Sequence, residues 1–276
     1  MNESAKPQPV VVGVDGSKAA IRAALWAVDE AVSRDVPLRL LHAIEDAESG
    51  GAPADTALRQ ARTAIEAAGA QVKVESETVQ GPAVGSLIRA SAAAAMVCVG
   101  AVGLRHFQAG RVGSTAAALA VSARCPVAVI RGHDHHPRPS ADDIVVEVEE
   151  AADNGGLLRA AAEEARLRGA AVRALVCRRG EPGEPVVADT ESDRRALADL
   201  DRRLATWKRR YPEVRVEPVA VHRSLLEYVA GSRRGIGLVI VGARNRAHLA
   251  ELVGPAGSAV LQDAGCSLLI VNRQHM

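Results

Sequence analysis

A chain of 276 residues, 48% hydrophobic and 24% charged, has the balance of a globular protein long enough for about two domains. A formal net charge of +1 supplies no field for nucleic acid or anionic lipid, and 2% aromatic residues leaves little to stack on single strands, so neither nucleic acid nor membrane is expected as a partner. The opening MNESAKPQPVVVGVDGS lacks the basic start and long apolar run of a secretion signal, and Cys98, Cys125, Cys177 and Cys266 form no CxxC pair and read as reduced thiols, so a cytoplasmic protein is expected.

In chain order, PVVVGVDGS at 9–17 reads as a buried parallel strand running into a turn. A helix follows over 18–35, with Ile21, Leu25, Val28 and Val32 on one face. The next segments read as a strand at 37–44, a helix at 55–70 and a strand at 71–79. A helix at 82–94 then has Pro82 in its first turn, followed by a strand at 95–100, a helix at 114–124 and a strand at 126–131. This β-α alternation predicts an α/β fold with a five-stranded parallel sheet covered on both faces.

GHDHHPRPSADD, at 132–143, reads as a linker, after which the pattern starts again. VGAVG at 99–103 is echoed by VGARN at 241–245, and ARCPVAVIR by AGCSLLIVNR, so the chain reads as a tandem duplication with domains at 1–132 and 142–276. The histidines at 133–136 read as a solvated linker, not a metal site, and the basic stretch at 202–211 as a solvated helix face.

In an open parallel sheet of order 3-2-1-4-5, ligands bind beyond the carboxyl ends of strands one and four. Asp15 ends the first of these and Gly100 the second. Gly100 and Gly103 let backbone N–H groups approach a ligand, and Gly113, Ser114 and Thr115 open a helix whose free N–H groups suit a phosphate. Arg105 and Arg111 lie in the nine-residue loop between, where an arginine can neutralise phosphate charge. Asp15, an acceptor only, suits ribose hydroxyls or an adenine amino group. Glycines in loops can serve turns alone; their position after a strand, before a helix and beside Asp15 favours phosphate contact.

The spacing Gly100-x2-Gly103-x9-Gly113-Ser114, Asp15 in VVGVDGS and the CPVAVIR ending closely resemble the universal stress protein family, in its tandem-domain, ATP-binding form common in actinobacteria. The resemblance implies two Rossmann-like domains of the adenine nucleotide alpha-hydrolase type, a role in stress adaptation, and ATP as ligand, with Mg left open. The nucleotide-contacting set it implies is Gly13, Asp15, Ala43, Val99, Gly100, Gly103, Arg111, Gly113, Ser114 and Thr115. It also implies a homodimer and a regulatory protein partner whose identity the sequence does not carry.

The second copy departs from this pattern: Glu147 stands for Gly13, Glu149 for Asp15, Asn245 for Gly103, and Pro255, which lacks an N–H, for Ser114, after a loop one residue shorter. A carboxylate about 4 Å from a phosphate, at an effective dielectric of about 20, costs about 4 kcal/mol before relaxation. The second site is therefore expected to be degenerate, with Gly257 and Ser258 its remaining donors. No catalytic residue is expected: residues 100–115 hold no carboxylate, and GRVGST lacks the Walker lysine. The alternatives are a slow ATP hydrolase and a dimeric scaffold that works without nucleotide.

Overall fold

A computed structural model describes residues 7–45, 51–104, 112–132, 142–149, 154–177, 190–233 and 235–272. Two compact units make up the chain: Met1–Arg131 with Asn245–Ser258, and Gly132–Arg244 with Ala259–Met276.

The first unit runs β1 (Val10–Gly13), α1 (Lys18–Ser33), β2 (Leu38–Ile44), α2 (Gly51–Ala67), β3 (Val74–Gln80), α3 (Ala83–Ala90), β4 (Met96–Gly100), α4 (Ser114–Ser122) and β5 (Val127–Ile130). Its strands are parallel in the order β3-β2-β1-β4-β5, which is the order 3-2-1-4-5. The central strands are covered on both faces: Val10, Val11, Val12, Val97 and Cys98 are at most 1% exposed, as their unbroken apolar runs require. At the edge, Arg39 reaches Glu75 at 3.2 Å and Glu77 at 3.5 Å, and Lys73 meets Glu75 at 2.9 Å. The Lys73 hydrogen bond, helped by Arg39, holds the Glu75 carboxyl below its ordinary pKa. Charges on an edge strand discourage pairing with another chain.

Helix α1 turns a different face to the core than its larger side chains suggest. Ala20, Ala23, Ala24, Ala27, Val28 and Ala31 are buried, whereas Val32 is 51% exposed and Ile21 and Leu25 are half-buried. The reason is proximity: a Cβ at Gly100 would stand 2.6 Å from the Ala19 carbonyl carbon, so only small residues fit between helix and sheet. Pro82 is the N-cap of α3 and not part of its first turn. The predicted helix over 82–94 ends at Ala90 and tightens into a 3-10 turn over Ser91–Ala93, where the Ser91 hydroxyl donates to the Ile88 carbonyl at 2.7 Å.

The second unit contains β6 (Asp143–Glu147), α5 (Gly155–Arg168), β7 (Val172–Cys177), α6 (Thr190–Arg210), β8 (Val216–Val221), α7 (Leu225–Ala230), β9 (Ile236–Gly242) and β10 (Ser267–Val271). These strands are also parallel, in the order β8-β7-β6-β9-β10. The edge strand β8 carries Pro218, which removes one ladder donor. Arg173 on β7 is 4% exposed, forms an ion pair with Asp143 (3.1 Å) and donates to the Tyr228 hydroxyl (2.9 Å) and the Ser232 hydroxyl (3.1 Å). Removing one partner from such a buried pair typically costs roughly 3–5 kcal/mol, because the other charge is left stranded.

Between β9 and β10 the chain forms α8 (Arg246–Val253) and α9 (Pro255–Asp263), where the sequence reading expected a loop up to Gly254. Asn245 starts α8 by accepting the His248 N–H at 3.0 Å, and Leu249 and Leu252 supply a buried stripe. Pro255 opens α9, a position where its missing N–H leaves no helical bond unmade.

Candidate functional site

The loop after β1 is held residue by residue. The Val14 N–H continues the ladder to the Leu41 carbonyl at 2.9 Å, and the Val14 carbonyl accepts from the His42 ring Nδ1 at 2.7 Å. Asp15 Oδ1 accepts the Ser17 N–H at 2.9 Å, closing a tight turn. Gly16 takes a φ of +86°, which a side chain would strain. Ser17 then caps α1 by accepting the Ala20 N–H at 3.1 Å.

The second Asp15 oxygen crosses to the loop after β4. Oδ2 accepts the Leu104 N–H at 2.9 Å, tying together the ends of strands one and four. A Cβ at Gly103 would stand 2.6 Å from that same oxygen, so glycine is what lets the carboxylate reach Leu104. The Gly113 N–H donates to the Ala101 carbonyl at 2.8 Å, bringing the start of α4 back beneath the loop. A Cβ at Gly113 would lie 3.7 Å from both the Ala101 carbonyl oxygen and the Gly103 nitrogen, in ordinary contact. Gly113 is the N-cap of α4 and supplies no side-chain acceptor, so no cap side chain occupies the helix start at Ser114 and Thr115. Backbone N–H groups at such a start carry partial positive charge and attract anions.

The residues predicted from sequence therefore separate by position. Asp15, Gly103 and Gly113 come together at one end of the sheet, with Ser114 and Thr115 opening the helix beside them. Ala43 lies near the carboxyl end of β2, paired in register with Val79. Gly13, Val99 and Gly100 meet protein: a Cβ at Gly13 would stand 2.9 Å from Leu87 Cδ1 and 3.2 Å from Val99 Cγ1, and Gly100 sits under Ala19. Arg111, with Arg105 and the histidines at 133–136, lies outside the described residues. Sequence reasoning did not single out His42, Ala101 or Leu104. A histidine inside the apolar run LRLLHAI was the one available signal, whereas the other two act through backbone atoms.

At the counterpart loop of the second unit, Val148 N–H donates to Leu175 O at 2.8 Å, the same register as Val14 to Leu41, so Glu149 takes the place of Asp15. Here the loop is held differently. Asn154 accepts the Glu149 N–H at 3.1 Å and donates to its carbonyl at 2.8 Å, and Arg203 donates to that carbonyl at 2.9 Å. At the counterpart of the glycine motif, a Cβ at Gly257 would stand 2.3 Å from the Glu251 carbonyl oxygen and 2.7 Å from that of Leu252. The first turn of α9 thus lies against the last carbonyls of α8, the negative end of that helix. Among the described residues no group of three or more His, Cys, Asp or Glu side chains could hold a metal ion. No described helix is long and apolar enough to cross a membrane.

Residues 7–131 match the Universal stress protein family, Usp. The chain is 53% identical over 286 residues to Universal stress protein Rv2028c of Mycobacterium tuberculosis strain H37Rv, covering 100% of both. It is 42% identical over 271 residues to Universal stress protein Rv2624c of the same strain, covering 96% of each. Among solved structures, a universal stress protein from Archaeoglobus fulgidus DSM 4304 superposes with a TM-score of 0.67 at 16% identity, over 99% of this chain and 98% of that one. The α/β architecture, the strand order and full-length relatives of this identity together make the chain a member of the universal stress protein family.

Proposed function

We propose that the protein is an ATP-binding regulatory module of stress adaptation, with nucleotide held in the first unit. The observation that carries this reading is the convergence of Asp15, Gly103 and Gly113 beside the side-chain-free start of α4. Backbone N–H groups there suit the phosphates, the Asp15 carboxylate suits hydroxyl or amino donors, and the bare glycines permit close approach. Mg2+ would enter on the phosphates, since residues 100–115 contain no carboxylate to hold it.

The same stretch lacks a Walker lysine and any carboxylate, which supports binding rather than turnover. In this reading the protein acts in the cytoplasm, as a homodimer, on a regulatory protein partner chosen by nucleotide state. Calorimetry with ATP, together with chromatography of nucleotide released from the purified protein by heat, tests it. Nucleotide bound at Asp15 supports the module. ADP accumulating over hours in proportion to protein would make it a hydrolase, and no binding at millimolar ATP would make it a scaffold.

A further inference from the structure

We propose that His42 is a positioning residue of the first crevice, whose Nδ1–H holds the Val14 carbonyl and so sets the loop that presents Asp15. The proposal rests on the reading of that crevice as the nucleotide site.

A carbonyl oxygen only accepts, so at 2.7 Å the His42 Nδ1 carries the proton and the neutral ring is the Nδ1–H tautomer. This bond stands where the sheet stops. The β1–β2 register ends at Gly13↔Leu41, and the next rung of the ladder would bring the Ala43 N–H to the Val14 carbonyl. Among the described residues no backbone N–H donates to that carbonyl, and the imidazole takes it instead. Val14 is thereby gripped on both sides by β2: its N–H by the Leu41 backbone, its carbonyl by the His42 side chain. The next residue is Asp15, whose two oxygens hold Ser17 and Leu104. The substitution of ring for backbone also keeps the Ala43 N–H out of the ladder at the mouth of the crevice.

The second unit supplies the contrast. In the same register, Val176 stands where His42 does, 3% exposed and without a polar atom in its side chain. The loop there is fixed from the opposite end, by Asn154 on Glu149. The histidine thus accompanies the copy that keeps Asp15 and Gly103, and is absent where Glu149 and Asn245 replace them.

Three variants of the full chain test this: His42→Val, the residue of the second unit; His42→Gln, whose amide reaches the Nε2 position; and His42→Asn, whose amide lies near the Nδ1 position. Two readouts are taken, ATP affinity by calorimetry and amide exchange without nucleotide. His42→Val and His42→Gln are expected to weaken ATP binding about tenfold and to speed exchange of the Ser17 and Leu104 amides by a similar factor, with the Val12 amide unchanged. His42→Asn is expected to restore both. Wild-type affinity or wild-type Ser17 and Leu104 exchange in both loss variants overturns the proposal, as does failure of His42→Asn to recover either. A wild-type chain that binds no ATP overturns the nucleotide reading, and the exchange readout then still decides whether His42 sets the Asp15 loop.

Discussion

Gly103 and Asp15 occupy complementary space: a Cβ on the glycine would stand 2.6 Å from the Asp15 oxygen that accepts the Leu104 N–H. The glycine is therefore required by the carboxylate, independently of any ligand. Because the atom in the way ends a side chain, Gly103→Ala should fold with Asp15 turned aside. The expected result is ATP affinity weakened by about tenfold or more, with a melting temperature within about 4 °C of wild type. Calorimetry and a thermal scan measure both; wild-type affinity would remove Asp15 from the site.

Gly113→Ala separates ligand space from protein space. Its Cβ would meet the Ala101 oxygen and Gly103 nitrogen at 3.7 Å, an ordinary contact in the free protein, and under the proposed function it would add a side chain at the helix start that takes the phosphates. Stability should hold within about 1 kcal/mol by denaturant titration, and ATP binding should be lost. Gly113→Val should do the same with a larger group.

Gly100→Ala should fail in the opposite way. The added Cβ would meet the Ala19 backbone at 2.6–2.8 Å, which neither α1 nor β4 can yield cheaply. Overpacking of this kind costs roughly 1–3 kcal/mol, read as a lower denaturant midpoint. An alanine tolerated without loss would mean that α1 can shift over the sheet.

One ATP per chain is the expected stoichiometry. Pro255 offers no N–H, and the start of α9 lies against the Glu251 and Leu252 carbonyls, where the start of α4 carries no cap side chain. Equilibrium dialysis at saturation should give one nucleotide, and two equivalent sites would show that the second copy of the motif also binds.

Burial pushes the Cys125 thiol up to about 12 from an ordinary 9.0, and the residue is 1% exposed. Thiolate is the reactive form, so native protein at pH 8 should resist alkylation at Cys125, as read by peptide mass spectrometry. The unfolded thiol ionises first, so this group's contribution to stability is intact below about pH 9 and falls as pH rises toward 12.

By itself the sequence determined the parallel α/β class, the alternation of elements and the strand order of the first half, and it pointed to Asp15, Gly103 and Gly113 as neighbours at one end of the sheet. These are legible because unbroken apolar runs, helical spacing and turn residues act over a few neighbouring positions. The tertiary structure decided which glycine serves what. Gly100 answers to Ala19, Gly13 to Leu87 and Gly103 to Asp15, partners 81, 74 and 88 residues away along the chain. It also decided that α1 buries its alanines and Val28 while Ile21, Leu25 and Val32 stay partly or largely exposed, since periodicity reports a face but not how closely the sheet approaches it. The His42 bond to Val14 belongs with these: it depends on where the ladder between β1 and β2 ends, a property of two strands together and of neither alone.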